Sequence, residues 1–291
     1  MISPLVRRRR LAIELRNLRG RSGYSASALA AKSGVARQRI SALENAHVAP
    51  DLDQLARLLD VFDIESGARE SLMVIAREAR VRGWWSRYSD EMGRRQAGYA
   101  NLEAGACEIH EYQMTFLPGL LQLPAYTEAR TQLERPRAAN YDPARAIEAR
   151  ASRQRAVRRS GGPTYEVIID EVAVRRPAVP VGVFADQLDH MVALPSEWSK
   201  LTIRILPLTP STAIRAVPRS AFAWYRYPDP EDPVVVAVDT VTDDLILTEE
   251  GVVATYLDLY DALRSAAWSP SESLDFLIEI GQQARRAVHE G

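Results

Sequence analysis

The chain has 291 residues, enough for two domains rather than one, and an ordinary globular share of apolar residues, 46%. Its single cysteine, Cys107, excludes an internal disulfide and any cysteine-based zinc site within one chain, and no run of eighteen apolar residues is present to span a membrane. Residues 1–50 hold ten basic side chains against Glu14 and Glu44, a net +8. Since the whole chain carries −1, the remainder carries −9, which predicts a polyanion partner at the first end only.

In chain order, the run Arg7 to Arg10 comes first, and two readings stay open for it: a solvated arm, or a set of phosphate contacts. The arginines lack a following apolar segment and a small-residue cleavage site, so no secretory leader is expected and a reducing cytoplasm is the expected home. Leu11, Leu15 and Leu18 then form the apolar stripe of a first helix, ended near Gly20 and Gly23. Ser25 is placed to cap a second helix. Ala26 to Asn45 reads as a helix-turn-helix. Leu29 and Ala30 face the core, Gly34 supplies the turn, and Val35, Ile40 and Leu43 lie on the buried side of the following helix. The plainer alternative is an ordinary helical hairpin with an arginine-rich outer face. Ala36 breaks a local rule, standing where a capping Ser or Thr is preferred.

Pro50 and Asp51 open a fourth helix, with Gln54 at the reciprocal position of a capping box and Leu52, Leu55, Leu58, Leu59 and Phe62 buried. Ala68 to Arg80 adds a fifth helix through Leu72, Met73, Ile75 and Ala76. Five short helices around one core fit the phage-repressor kind of DNA-binding domain. In such folds the start of the second motif helix enters the major groove. Arg37 and Gln38 would there meet guanine and adenine edges, and the likeness to those repressors puts the Ala42 methyl on the base-facing side. Ser25, Ala26, Lys32, Arg39, Ser41 and Asn45 are the candidate backbone contacts. Glu44 reads as structural, paired with a nearby arginine, ahead of a base contact.

The expected boundary falls near residue 80, giving a helix-turn-helix domain at 1–80 and a regulatory or partner-binding domain at 81–291. Trp84, Trp85 and Tyr88 are too apolar for a free linker and are expected to dock the junction helix against the second domain. Tyr99 to Glu111, Tyr126 to Glu134 and Tyr141 to Arg159 read as helices, with a turn at Pro118-Gly119. Short β-rich runs follow at Tyr165–Ile169, Leu201–Leu206, Ala221–Tyr225, Val234–Val238 and Leu245–Leu247. Helices are expected at Phe184–Leu194, Gly251–Trp268 and Ser271–Val288. Without regular βα alternation, this predicts an α+β domain with a mostly antiparallel sheet and flanking helices.

A string of ordered motifs now carries a likeness to a known family: Gly83-Trp84-Trp85 with Tyr88, Tyr112, Phe116 to Gln122 with Tyr126, Asp170 to Pro177, Ile203 to Pro207, Tyr227 to Pro230, and Ala267 to Pro270 with Glu272 and Ser273. Over nearly its whole length the chain resembles the actinobacterial Xre-type regulators, the WhiJ-like or antitoxin-like proteins in which a helix-turn-helix precedes a C-terminal domain of unknown function. It departs at Ala36 and at Thr115. The resemblance implies a transcriptional regulator of differentiation or secondary metabolism, often encoded beside a very small partner protein. Two-fold operators also predict a homodimer on double-stranded DNA.

Other chemistry is weakly represented. His110-Glu111 begins a zinc-protease pattern, but Met114 stands where the second histidine is needed. Asp170-Glu171 as an acid–base pair, and Asp239, Asp243 and Asp244 around a hard cation, read better as a strand end and a polar loop. Cys107 reads as a buried filler in a helix. No catalytic residue, cofactor or metal is expected, and an enzyme fused to a DNA-binding domain is the remote alternative. The nearer alternative is a small-molecule sensor whose pocket is lined by some of Trp84, Trp85, Tyr88, Tyr112, Phe116, Tyr126, Trp224 and Tyr225.

Overall fold

The computed structural model describes residues 1–133, 142–210, 217–240 and 244–290. The chain divides into two units, Met1–Ser86 together with Tyr227–Pro233, and Arg87–Arg226 together with Val234–Gly291. No helix among the described residues is long and apolar enough to cross a membrane.

The first unit holds five α-helices: α1 (Pro4–Arg21), α2 (Ala26–Ser33), α3 (Arg37–Glu44), α4 (Leu52–Phe62) and α5 (Ser66–Glu78). Ser3 starts α1 by accepting from the Val6 N–H at 3.2 Å, and Pro4 sits in the first turn, where its missing N–H costs nothing. Leu15, Leu29, Ile40, Leu55 and Leu59 from four helices meet in one core, each contributing about 1.5–3 kcal/mol by leaving water. Asp51 caps α4 by accepting from Asp53 N–H at 3.1 Å and Gln54 N–H at 2.9 Å. Those two bonds, the Gln54 one first, hold its carboxyl below the usual range. The expected reciprocal cap does not form, because the Gln54 amide oxygen accepts from Arg39 Nε instead, at 3.1 Å.

Arg7 to Arg10 do not form a free solvated arm, and two of the four are engaged by carboxylates of the same unit. They lie within α1 and are all half-buried. Arg7 Nε meets Glu78 at 2.9 Å, and its Nη1 meets Asp229 at 3.1 Å and Asp232 at 2.9 Å. Arg10 Nη1 reaches Asp229 at 2.5 Å. Acidic partners from the Tyr227–Pro233 segment of the same unit thus pair with Arg7 and Arg10, two of the four charges of the run.

The second unit is built on a six-stranded sheet, β1 (Glu108–Gln113), β2 (Thr164–Asp170), β3 (Leu201–Leu206), β4 (Phe222–Arg226), β5 (Val235–Val238) and β6 (Leu245–Leu247), in the order β3-β2-β1-β4-β5-β6. Three of its five pairings are antiparallel. The two parallel ones, β1 with β2 and β2 with β3, need helical crossovers. Those crossovers contain α7 (Pro124–Leu133) with α8 (Pro143–Arg158), and α9 (Glu171–Arg175) with α10 (Val181–Glu197). Glu134 and Tyr141, expected at helix ends, lie outside the described residues. On one side of the sheet, Tyr112, Ile168, Phe222 and Val236 pack on Val253, Tyr260 and Leu263 of α11 (Glu250–Ala266). The last helix, α12 (Pro270–Glu290), packs against α10 and β3.

One expected helix is wrong. Tyr99 to Glu111 splits between α6 (Ser89–Glu103), which kinks at Gly93, and strand β1. Cys107 is correspondingly not a buried helix filler. It sits half-exposed just ahead of β1, and its N–H donates to the Arg226 carbonyl at 2.9 Å.

Candidate nucleic-acid interface

The geometry of α2 and α3 follows from a few local choices. Ser25 Oγ accepts from Ala28 N–H at 3.1 Å and fixes the start of α2. Gly34 takes φ +67°, a left-handed conformation that glycine adopts freely, and donates its N–H to Ala30 at 3.0 Å. Ser33 Oγ donates to the Leu29 carbonyl at 2.7 Å and accepts from Val35 N–H at 3.2 Å, closing the turn. Ile40 and Leu43 then bury one face of α3. The opposite face leaves Arg37, Gln38 and Ser41 exposed and Ala42 half-buried. Ala36 stands at the N-cap with no side-chain bond, as its methyl dictates.

An open groove of about 610 Å³ runs along this face, lined by Ala36, Arg37, Gln38, Ser41, Ala42 and His47. It brings together all three expected base readers and Ser41. His47 was not anticipated. It arrives because Ala46 takes φ 56° beyond α3 and the His47 N–H turns back to Ala42 at 2.9 Å. Nothing in the local sequence marks an alanine for that conformation.

The expected backbone contacts are more dispersed. Ser25 and Ala26 stand at the start of α2, and Ser25 keeps a hydroxyl hydrogen to give. Lys32 is exposed in the last turn of α2, its ammonium 5.4 Å from the Tyr24 ring centre. Arg39 is half-buried and tethered, donating to Gln54 at 3.1 Å and to the Ala49 carbonyl at 3.1 Å. Asn45 folds back onto its own helix, its amide donating to the Ser41 carbonyl at 2.8 Å. Glu44 is structural, as expected: it is buried and paired with Arg19.

The second unit assigns structural work to the other candidate groups. Asp170 caps α9 through Val172 N–H at 3.0 Å and accepts from the Tyr112 hydroxyl at 3.0 Å. Glu171 accepts from Leu208 N–H at 2.7 Å and pairs with Arg175. Arg95 reaches Asp239 and Asp244, each at 3.0 Å, so these two carboxylates are held by a guanidinium; Asp243 lies outside the described residues. His110 is on a strand, not a helix, and stacks on Trp224 with ring centres 3.9 Å apart. Of the eight aromatics proposed for a pocket, only Phe116 and Tyr225 line the polar cavity of this unit, while Tyr112 and Trp224 belong to the apolar core.

A family model described as "Helix-turn-helix" matches residues 15–67, and one described as "Domain of unknown function (DUF5753)" matches residues 96–279. The second match spans more than half of the chain, which therefore belongs to the DUF5753 family. The first supports a DNA-binding regulator of the Xre-like kind. No curated protein and no solved structure matches the chain.

Proposed function

We propose that this protein is a sequence-specific transcriptional regulator of the actinobacterial, WhiJ-like and antitoxin-like kind, acting in the cytoplasm on nucleoid DNA. Residues 1–80 bind the operator, and residues 81–291 bind a small partner protein, a second copy of the chain, or both. The carrying observation is the outer face of α3, where Arg37, Gln38, Ser41 and Ala42 share one open groove while Ile40 and Leu43 hold the helix to the core. Arg37 and Gln38 read guanine and adenine edges, and Ala42 meets a thymine methyl. Ser25, Ala26, Lys32, Ser41, Arg39 and Asn45 fix the backbone, the last two with donors already partly engaged within the protein.

The test is anisotropy with DNA from upstream of the protein's own gene, beside scrambled DNA, at two salt concentrations. Wild-type protein should prefer the upstream DNA and lose affinity steeply with salt. An Arg37→Ala/Gln38→Ala variant should keep the salt dependence and lose the preference. Equal, weak binding to both DNAs by the wild type would refute the reading. Light scattering with and without DNA tests the homodimer, and co-purification of a very small protein tests the partner.

A second reading, a one-component sensor of a small molecule, is favoured by a separate observation: the second unit contains a polar cavity of about 240 Å³ lined by arginines and aromatic rings. Its test is a ligand-dependent change in operator affinity.

A further inference from the structure

We infer that Arg9 and Arg16, on one face of α1, bind phosphates of the DNA backbone, so that the contact with DNA extends past the helix-turn-helix onto the first helix. The run Arg7 to Arg10 divides into two kinds of arginine. Arg7 and Arg10 are met by Glu78, Asp229 and Asp232. Arg8 and Arg9 are half-buried as well, yet no carboxylate among the described residues pairs with either. Arg8 Nε donates only to the Pro4 carbonyl, at 3.3 Å, and Arg9 Nε is buried with no acceptor. Arg10 Nε lacks an acceptor too, but its Nη1 has Asp229.

Taking a guanidinium out of water is costly unless a counter-charge or acceptor replaces the solvent. Burial first, then the charges of Arg16 and Arg8, loosen the hold of Arg9 on its proton, and no carboxylate opposes them. Arginine nonetheless stays charged. An anion beside Arg9 and Arg16 supplies the missing acceptor and relieves the repulsion between them.

The place of the pair in the fold identifies that anion. Arg9, Ala12, Arg16 and Arg19 follow one another at three- and four-residue spacing, which puts them on one face of α1. This face leads to the end of α3, where Arg19 grips the Glu44 carboxylate and Arg16 Nη1 donates to the Glu44 carbonyl. The charge of Arg19 is therefore met. Arg16 has only a neutral acceptor and is exposed. The seven residues from Arg9 to Arg16 cover about 10 Å of helix axis. A DNA strand presents one phosphate per ~3.4 Å of duplex axis, so about three phosphates match the length of the stripe. Ten basic side chains against Glu14 and Glu44 in residues 1–50 favour the approach of such a polyanion.

The inference rests on the DNA-binding reading and enlarges its footprint. The full chain is titrated by anisotropy with upstream and scrambled DNA across a series of salt concentrations, as wild type, Arg9→Gln, Arg16→Gln, the double variant, Arg9→Lys and Arg10→Gln. Circular dichroism checks that each variant folds, and the exposed Arg16 keeps the test decisive if Arg9→Gln does not. Each single glutamine at Arg9 or Arg16 should make the slope of log K against log salt shallower by about 0.9, and the double variant by about 1.8. Affinity for both DNAs should fall by the same factor, because phosphates carry no sequence information. Arg9→Lys should keep the wild-type slope, since an ammonium still meets a phosphate as a point charge. Arg10→Gln should leave the slope unchanged, its charge being already met by Asp229. A wild-type slope in the double variant, or in Arg16→Gln if Arg9→Gln does not fold, overturns the inference. So does an equal flattening in Arg10→Gln, which would reduce the effect to net charge. Equal wild-type affinity for the two DNAs refutes the operator reading alone, because the slope on scrambled DNA still judges the stripe. Absence of DNA binding by the wild type overturns both.

Discussion

Arg19 on α1 grips Glu44, the last residue of α3, through two parallel contacts, Nε to Oε1 at 2.6 Å and Nη2 to Oε2 at 3.1 Å. The Glu44 hydrogen bond is also the chief reason the Arg19 guanidinium holds its proton more tightly than usual. Arg16 adds a bond to the Glu44 backbone carbonyl. The helix whose outer face is proposed to read DNA is therefore fastened at its C-terminal end by charge, as well as by Ile40 and Leu43 in the core. Glu44→Ala leaves the partly buried Arg19 without this partner and should lower unfolding free energy by about 2–3 kcal/mol. Urea denaturation checks it, and an unchanged midpoint would show the pair to be dispensable.

Arg37 and Arg39, two residues apart, should behave differently. Arg37 is exposed in the groove, so Arg37→Ala should leave the melting temperature unchanged. It should cut discrimination between upstream and random DNA by about 1–3 kcal/mol. Arg39 ties α3 to the start of α4, so Arg39→Ala should lower stability modestly, weaken binding to both DNAs and flatten the salt slope. Competition anisotropy beside thermal melts separates the two. An unchanged specificity ratio would remove Arg37 from the reading set.

The uncapped start of α3 is open to improvement. Ala36 has φ −56° and ψ 135°, close to what a capping residue adopts, and its side chain makes no cap bond. Ala36→Ser should supply an acceptor for a first-turn N–H and raise stability by about 1 kcal/mol. Denaturant midpoints read this directly, and a loss of stability would mean the serine cannot take the capping geometry.

His110 links stability to pH. Its ring stacks on Trp224 and meets Tyr260 edge-on, with centres 5.1 Å apart. Burial lowers its proton affinity below the ordinary imidazole value of 6.5. Glu166 and Glu108 pull it back up, and Arg264 and Arg226 push it down. Between the depressed folded value and 6.5 the unfolded chain binds more protons than the folded one, so stability rises with pH in that window. The contribution is fully present above about pH 6.5 and is lost as the pH falls toward the folded value. His110→Phe should flatten that acid slope in melting experiments. His190, also lowered by burial, keeps part of it in both proteins. Superimposable slopes would contradict the assignment.

The sequence made the first unit legible because its determinants are local. Gly34 at the turn and the three-residue spacing of Ile40 and Leu43 specify the helix pair whatever lies elsewhere. β1 shows the opposite case. In Glu-Ile-His-Glu-Tyr-Gln the buried residues Ile109 and Tyr112 are three apart, a helical spacing, and the segment is a strand because β2 and β4 flank it. Those partners lie far along the chain, beyond the reach of periodicity. The groove on α3 was legible down to Arg37, Gln38 and Ala42. His47 was not, since its position depends on a left-handed Ala46. The pairing of Arg7 and Arg10 with Asp229 is hidden for the same reason as β1, since that carboxylate lies more than two hundred positions later.

That distance sets an order of events during synthesis. Arg7 is separated from Asp229 by 222 residues, so that one of its carboxylate partners is translated about 10–45 s later at ordinary elongation rates of ~5–20 residues per second. The five helices emerge first and can bury Leu15, Leu29, Ile40 and Leu55 while Arg7 and Arg10 still lack Asp229 and Asp232. The unit expected to meet DNA is complete only after most of the chain has been made.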